Sequence, residues 1–338
     1  MDETVISCSN PECQSGETGQ CVEGLAMHEC PHLLATQEEA ETVGNNGEPY
    51  FQDAVDKSEL LPSGEQLGVS EAVSILCAGP GRVIAPVGPT ESGKTTLIAA
   101  FYEMFQKGPF GGFHFAGSHT LVAFERTVHR AARAASGQRS PATERTPFGT
   151  PLGFYHMRLG DNRGKWELLF SDRAGEDYLS LVDNPSESTG FSELQRADFI
   201  VLLVNGERLL DARRHNTVHQ AKMLLQGMND AGCLSPGQEV QVVLTKWDLV
   251  VGHVDRHQVE ERFDALVQDM AGHCPVPLAP FKIAALPQTD ELPMGYELSS
   301  LLETWVRGPR RCDGSHMGAT QPRPDRAFVR FGQRRGSR

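Results

Sequence analysis

From residue 69 onward the apolar and polar positions alternate between two periods. Residues 69–77 predict a short helix, and Gly79-Pro80-Gly81 turns the chain into a strand over 82–87. Leu97, Phe101 and Phe105 share one face of a helix predicted over 94–107, which Gly108-Pro109 stops. Residues 121–135 read as helical. Residues 152–159 and 166–171 alternate with period two around Asn162-Arg163-Gly164, the pattern of a hairpin. Residues 199–204 are a short, wholly apolar run, as expected of a strand covered on both faces, and residues 240–244, apolar except for Gln241, read as another buried strand. Residues 209–228 and 258–270 read as helices, 281–285 as a last strand and 296–306 as a last helix. Strands alternating with helices imply an α/β fold. The expectation is a mostly parallel sheet with helices on both faces and, from the hairpin, one antiparallel edge strand.

Composition narrows the setting. The longest purely apolar run, 199–204, is far short of the roughly 20 residues that span a bilayer. The chain starts Met1-Asp2-Glu3 with no basic stretch leading into an apolar one, so no secretory signal is expected and the cytoplasm is the expected compartment. A net charge of −13 argues against general nucleic-acid binding. The distribution is uneven, because nine Arg from Arg307 onward face only Asp313 and Asp325. Residues 307–338 therefore read as a basic, disordered tail. It is either a solvated appendage or a contact for an acidic surface, RNA or membrane headgroups.

Four of the eight cysteines, Cys8, Cys13, Cys21 and Cys30, fall within residues 1–34. Four thiolates suffice for tetrahedral Zn2+, and a segment too short to bury a core would draw folding energy from the metal. His28 and His32 are substitute ligands. The spacing lacks paired C-x2-C, so free thiols in a disordered segment and a redox role stay open. Residues 35–68 are acidic and polar and read as a linker.

Gly88-Pro89-Thr90-Glu91-Ser92-Gly93-Lys94-Thr95 fits G-x-x-x-x-G-K-[ST] in full, between an apolar strand and a helix, with Thr96 just beyond. Glycines let the backbone wrap closely around phosphates, whose charge meets successive N–H groups and a helix N-terminus. Lys94 would reach the β- and γ-phosphates and Thr95 would bind Mg2+. Asp172-Arg173-Ala174-Gly175 follows an apolar strand and matches D-x-x-G: the carboxylate would hold Mg2+ through water, and the Gly175 N–H would sense the γ-phosphate. Thr245-Lys246-Trp247-Asp248 ends another apolar strand. A carboxylate at Asp248 accepts from both N1–H and the 2-amino group of guanine, whereas adenine would leave it unpaired. Lys246 would pack along the base, and the backbone at Ala284-Ala285 would read the guanine O6.

These motifs, in this order, resemble the TRAFAC class of P-loop GTPases over residues 69–306. Further residues are similar to the bacterial double-GTPase family: Phe115-Ala116-Gly117-Ser118-His119-Thr120-Leu121 with Phe124-Glu125-Arg126, Glu144-Arg145-Thr146-Pro147, and Asp172 to Glu176. The resemblance implies a P-loop NTPase G domain at 69–306 binding GTP or GDP with Mg2+, and a role in prokaryotic conflict systems. Only one P-loop lies in this chain, so a second GTPase would be a separate protein partner.

The resemblance also puts switch I in an enlarged region, 111–150, with Thr146 or Thr150 facing Mg2+ and Thr120 and Thr143 as further candidates. Glu176 stands where Ras-like proteins carry Gln, so it accepts from water but donates nothing to the γ-phosphate when ionised. Arg173 would offer a cation to the transition state. Arg126, Arg130 and Arg133 share a helical face that is either solvated or serves the same end. The competing expectations are a GTP-bound scaffold with negligible turnover and an ATPase or kinase sharing only the P-loop.

Overall fold

The computed structural model describes residues 7–8, 33–34, 62–135, 146–147, 149–183 and 190–308. The chain divides into two units, Met1–Glu59 and Leu60–Arg338. In the first, β1 (Ser7–Cys8) pairs antiparallel with β2 (Leu33–Leu34). Cys13, Cys21 and Cys30 lie outside the described residues, as does the tail beyond Gly308.

The second unit is built on a seven-stranded sheet. After α1 (Val69–Ala78) come β3 (Gly81–Val87), α2 (Lys94–Gln106), β4 (His114–Gly117), α3 (Leu121–Ala135), β5 (Gly153–Asp161), β6 (Gly164–Asp172), α4 (Gly175–Asp183) and α5 (Ser192–Arg196). Then follow β7 (Phe199–Asn205), α6 (Gly206–Leu210), α7 (Arg214–Asp230), β8 (Glu239–Thr245), α8 (Asp248–Val251), α9 (Arg256–Ala271), β9 (Leu278–Lys282) and α10 (Leu298–Arg307). The strand order is β4-β5-β6-β3-β7-β8-β9. From β6 to β9 every pairing is parallel, and β5 runs antiparallel to both β4 and β6.

The expected hairpin is present, but its antiparallel strand is not the edge. β4 pairs outside it. Four residues, with a register shift between Phe115 and Gly117, are too few to display a period-two pattern. The helix expected over 209–228 is two helices. The first ends at Leu210, and the carboxylate of Asp211 just beyond it accepts from the Arg213 backbone and guanidinium, a local turn that competes with helix. The last strand begins at Leu278, a few residues ahead of the expected start.

All seven residues of β7 are buried, as both faces of the sheet are covered. On one face Val83, Ala85 and Val87 of β3 and Ile200, Leu202 and Val204 of β7 pack in a core with Tyr178, Leu224, Met228 and Phe263. On the other, Ile84, Val201, Leu203 and Phe170 meet Leu97, Phe101, Leu301 and Trp305. Trp305 is fully buried and its indole N–H donates to Gln241 Oε1 at 2.7 Å, so α10 docks with its polar atom satisfied. No helix among the described residues is long and apolar enough to cross a membrane.

Candidate functional site

In a parallel sheet the strand C-termini converge on one rim, where loops and helix N-termini meet. β3 delivers the chain into the Gly88–Thr95 loop there. α2 starts at Lys94 behind Gly93, whose φ of 99° is a left-handed conformation that suits glycine. The first N–H groups of α2 have no partners within the helix and face the loop. Two neighbouring strands fix the loop's shape. Asn205 Nδ2, at the end of β7, donates to Glu91 O at 3.0 Å, and Thr245 Oγ1, at the end of β8, donates to Ser92 O at 3.0 Å.

Lys94 is buried, and its Nζ donates to Gly88 O at 2.9 Å and Pro89 O at 3.3 Å. Burial pulls its pKa from 10.5 down to about 8, with Asp172 and Asp177 opposing the shift. A phosphate arriving beside it would supply the counter-charge that the loop carbonyls do not.

Asp172, the last residue of β6, is 6% exposed. Thr95 Oγ1 donates to its Oδ1 at 3.4 Å and Thr146 Oγ1 to the same oxygen at 3.5 Å. Burial pushes the carboxyl's pKa up, while Gln66, Lys94, Thr95 and Thr146 pull it down. Two hydroxyls gathered on one carboxylate oxygen form a hard, all-oxygen set, which fits Mg2+. These three groups also line a cavity of about 410 Å³ together with Gln66, Arg126 and Tyr155.

The other switch I candidates are placed elsewhere. Thr120 is buried and bonded to the His156 backbone in both directions, and Thr150 Oγ1 donates to Pro147 O at 2.7 Å. Thr143 lies outside the described residues, as do Glu144 and Arg145.

Gly175 opens α4 directly against the loop. A Cβ built on it would stand 2.7 Å from Pro89 C, 2.7 Å from Thr90 N and 2.8 Å from Lys94 Nζ, so only glycine allows this approach. Glu176 follows, and its Oε1 accepts from Thr90 Oγ1 at 3.1 Å. Arg173 is turned to another task. Its Nε and Nη2 donate to Glu193 at 2.6 and 3.1 Å, Nη2 also to Gly190 O at 2.7 Å, and the guanidinium sits 4.5 Å from the Phe191 ring centroid. With Glu193 buried, the pair ties the chain after Asp172 to α5. Arg126 faces Glu65, while the side chains of Arg130 and Arg133 are outside the described part.

At the end of β8, Asp248 is 3% exposed, and its Oδ2 accepts from Gln288 N at 2.7 Å. Thr289 Oγ1 donates to Asp248 O at 3.2 Å. The loop at Gln288-Thr289 therefore supports the carboxylate, a role with no signature in the sequence. Lys246 adopts φ 53°, and its ammonium pairs with Glu207 at 2.6 Å. The Ala284 N–H donates to Tyr296 O at 3.3 Å. Among the described residues no group of three or more His, Cys, Asp or Glu is arranged to take a metal ion. For the expected zinc ligands, Cys13, Cys21 and Cys30 are outside that part and Cys8 is described only as a member of β1.

A mixed sheet whose first long strand feeds a phosphate-type loop, with D-x-x-G and T-K-x-D at the ends of β6 and β8, defines a P-loop GTPase-type domain. The family model for Double-GTPase 2 matches residues 82–306, and the chain belongs to this double-GTPase family. No curated protein matches the sequence.

Proposed function

We propose that this chain is a Mg2+-dependent switch that binds and hydrolyses GTP within a multiprotein prokaryotic system. The observation that carries the reading is the meeting of Lys94, Thr95, Asp172 and Gly175 around one loop, with Asp248 buried at the end of a nearby parallel strand. Gly88 to Thr96 would wrap the phosphates, with Lys94 neutralising them. Thr95, Thr146 and, through water, Asp172 would hold Mg2+, which supplies charge neutralisation at the phosphate oxygens. The Gly175 N–H would contact the γ-phosphate and so distinguish GTP from GDP. Thr245, Lys246, Asp248 and the Ala284-Ala285 backbone would select guanine.

A second reading is a GTP-bound scaffold with negligible turnover. Two contacts favour it: Glu176 is bonded to Thr90, and Arg173 is held by Glu193. Competition titration of GTP against ATP tests the shared part of both readings, and ATP binding as tight as GTP would refute it. Single-turnover hydrolysis of bound GTP separates the two. Loss of GTP in wild type, faster in Glu176→Gln, supports the switch. GTP persisting in both variants supports the scaffold.

A further inference from the structure

The two oxygens of Asp172 face different partners. Oδ1 accepts from Thr95 and Thr146, while Oδ2 accepts from Gln66 Nε2 at 3.0 Å. Gln66 lies 106 residues upstream, in the stretch read from sequence as the end of a linker. That stretch is tied down on every side. Ala123 N donates to Gly64 O at 2.9 Å, Arg126 grips Glu65 with bonds of 2.9 and 2.6 Å, and Leu67 exchanges two backbone bonds of 2.9 Å with Phe154. Space for the Gln66 side chain exists because residue 153 is glycine: a Cβ there would lie 2.4 Å from Gln66 Oε1 and 3.1 Å from its Cδ. Neighbouring elements thus fix where the amide sits.

A carboxylate turns about its Cβ–Cγ bond, so fixing one oxygen fixes the direction of the other. We propose that Gln66 is a positioning residue for the cation of the nucleotide site: by holding Asp172 Oδ2 it keeps Oδ1 turned toward Thr95 and Thr146. The inference rests on the GTPase reading and extends its metal site by one residue from outside the recognised motifs. Partners that orient metal-binding carboxylates contribute substantially to metal affinity although they never touch the ion. The same contact joins the chain ahead of α1 to the nucleotide state.

The test uses the full-length protein with Gln66→Ala and Gln66→Met, the latter preserving length and packing while removing the donor. A fluorescent guanine nucleotide is titrated in EDTA and then across a series of Mg2+ concentrations, with melting temperatures recorded in parallel. Both variants are expected to raise the Mg2+ concentration at half-effect roughly 10-fold. Their affinity in EDTA should stay near wild type, and Gln66→Met should melt with wild type. A Gln66→Met protein with an unchanged Mg2+ midpoint overturns the proposal and leaves Gln66 a packing residue. A lowered midpoint also overturns it, since the amide would then compete with the cation. Wild type that binds no guanine nucleotide at any Mg2+ concentration overturns the GTPase reading itself, a result distinct from either.

Discussion

Adding one methyl group at Gly175 strikes the junction between the phosphate loop and α4. The alanine Cβ would meet Pro89 C and Thr90 N at 2.7 Å, about 0.7 Å inside ordinary contact at 3.4 Å. Both atoms are backbone, and the loop that carries them is braced by Asn205 and Thr245. The displacement therefore falls on the start of α4. An amide withdrawn by that distance passes from about 2.9 Å to about 3.6 Å from a γ-phosphate oxygen, outside hydrogen-bond range. A hydrogen bond to a charged acceptor contributes about 1.5–3 kcal/mol, so GTP affinity should fall roughly 10- to 150-fold. GDP has no atom at that position and should lose only what local strain costs. Overpacking should also remove about 1–3 kcal/mol of stability. Equilibrium titration with fluorescent GTP and GDP analogues, alongside a thermal melt, reads all three quantities. Equal losses for the two nucleotides, or none for either, would refute the argument that Gly175 reports on the γ-phosphate.

Three further outcomes are expected. In Asp248→Asn the side-chain oxygen should stay on Gln288 N, turning the NH2 group toward the base; GTP should weaken by roughly 10-fold or more and xanthosine triphosphate should gain, and an unchanged preference in competition titration would exclude Asp248 from the base site. Burial lowers the pKa of Lys94 in the fold to about 8 from 10.5, so between those values the unfolded chain binds more protons and stability from this group rises with pH. Phosphate should restore the ammonium, making GTP binding near pH 9 take up a fraction of a proton; calorimetry in two buffers of different ionisation enthalpy would show it, and proton release would contradict it. Arg173→Ala should strand the buried Glu193 and cost about 3–5 kcal/mol, which scanning calorimetry would register as a drop in melting temperature of about 10 °C; slowed hydrolysis at an unchanged melting temperature would instead make Arg173 catalytic.

What the sequence disclosed follows from how each feature is encoded. The phosphate loop, Asp172, Gly175 and Asp248 sit at fixed offsets from apolar runs, so residue identity and local order were enough. β7 and β8 stood out because burial on both faces makes them nearly continuous apolar runs, broken in the middle only by Gln241. Features encoded by tertiary contact were hidden. β4 has too few residues for a period, and Gln66 touches Asp172 through a single amide in a stretch whose composition reads as solvent-exposed linker. The pairing of Arg173 with Glu193 was equally invisible: Arg173 fills a variable position of D-x-x-G, Glu193 lies in no motif, and only the fold brings them together across 20 positions. The Gln288 amide beneath Asp248 is a backbone group and carries no identity to read.

The two borders of the sheet have a consequence for how this chain meets other molecules. β4 is four residues long and irregular in register, and β9 carries Pro280, which lacks an N–H to offer a neighbouring strand. Neither border is a ready template for an added strand, so uncontrolled stacking of copies through their sheets is discouraged. A companion protein would meet this one through side chains on helices and loops rather than by extending the sheet.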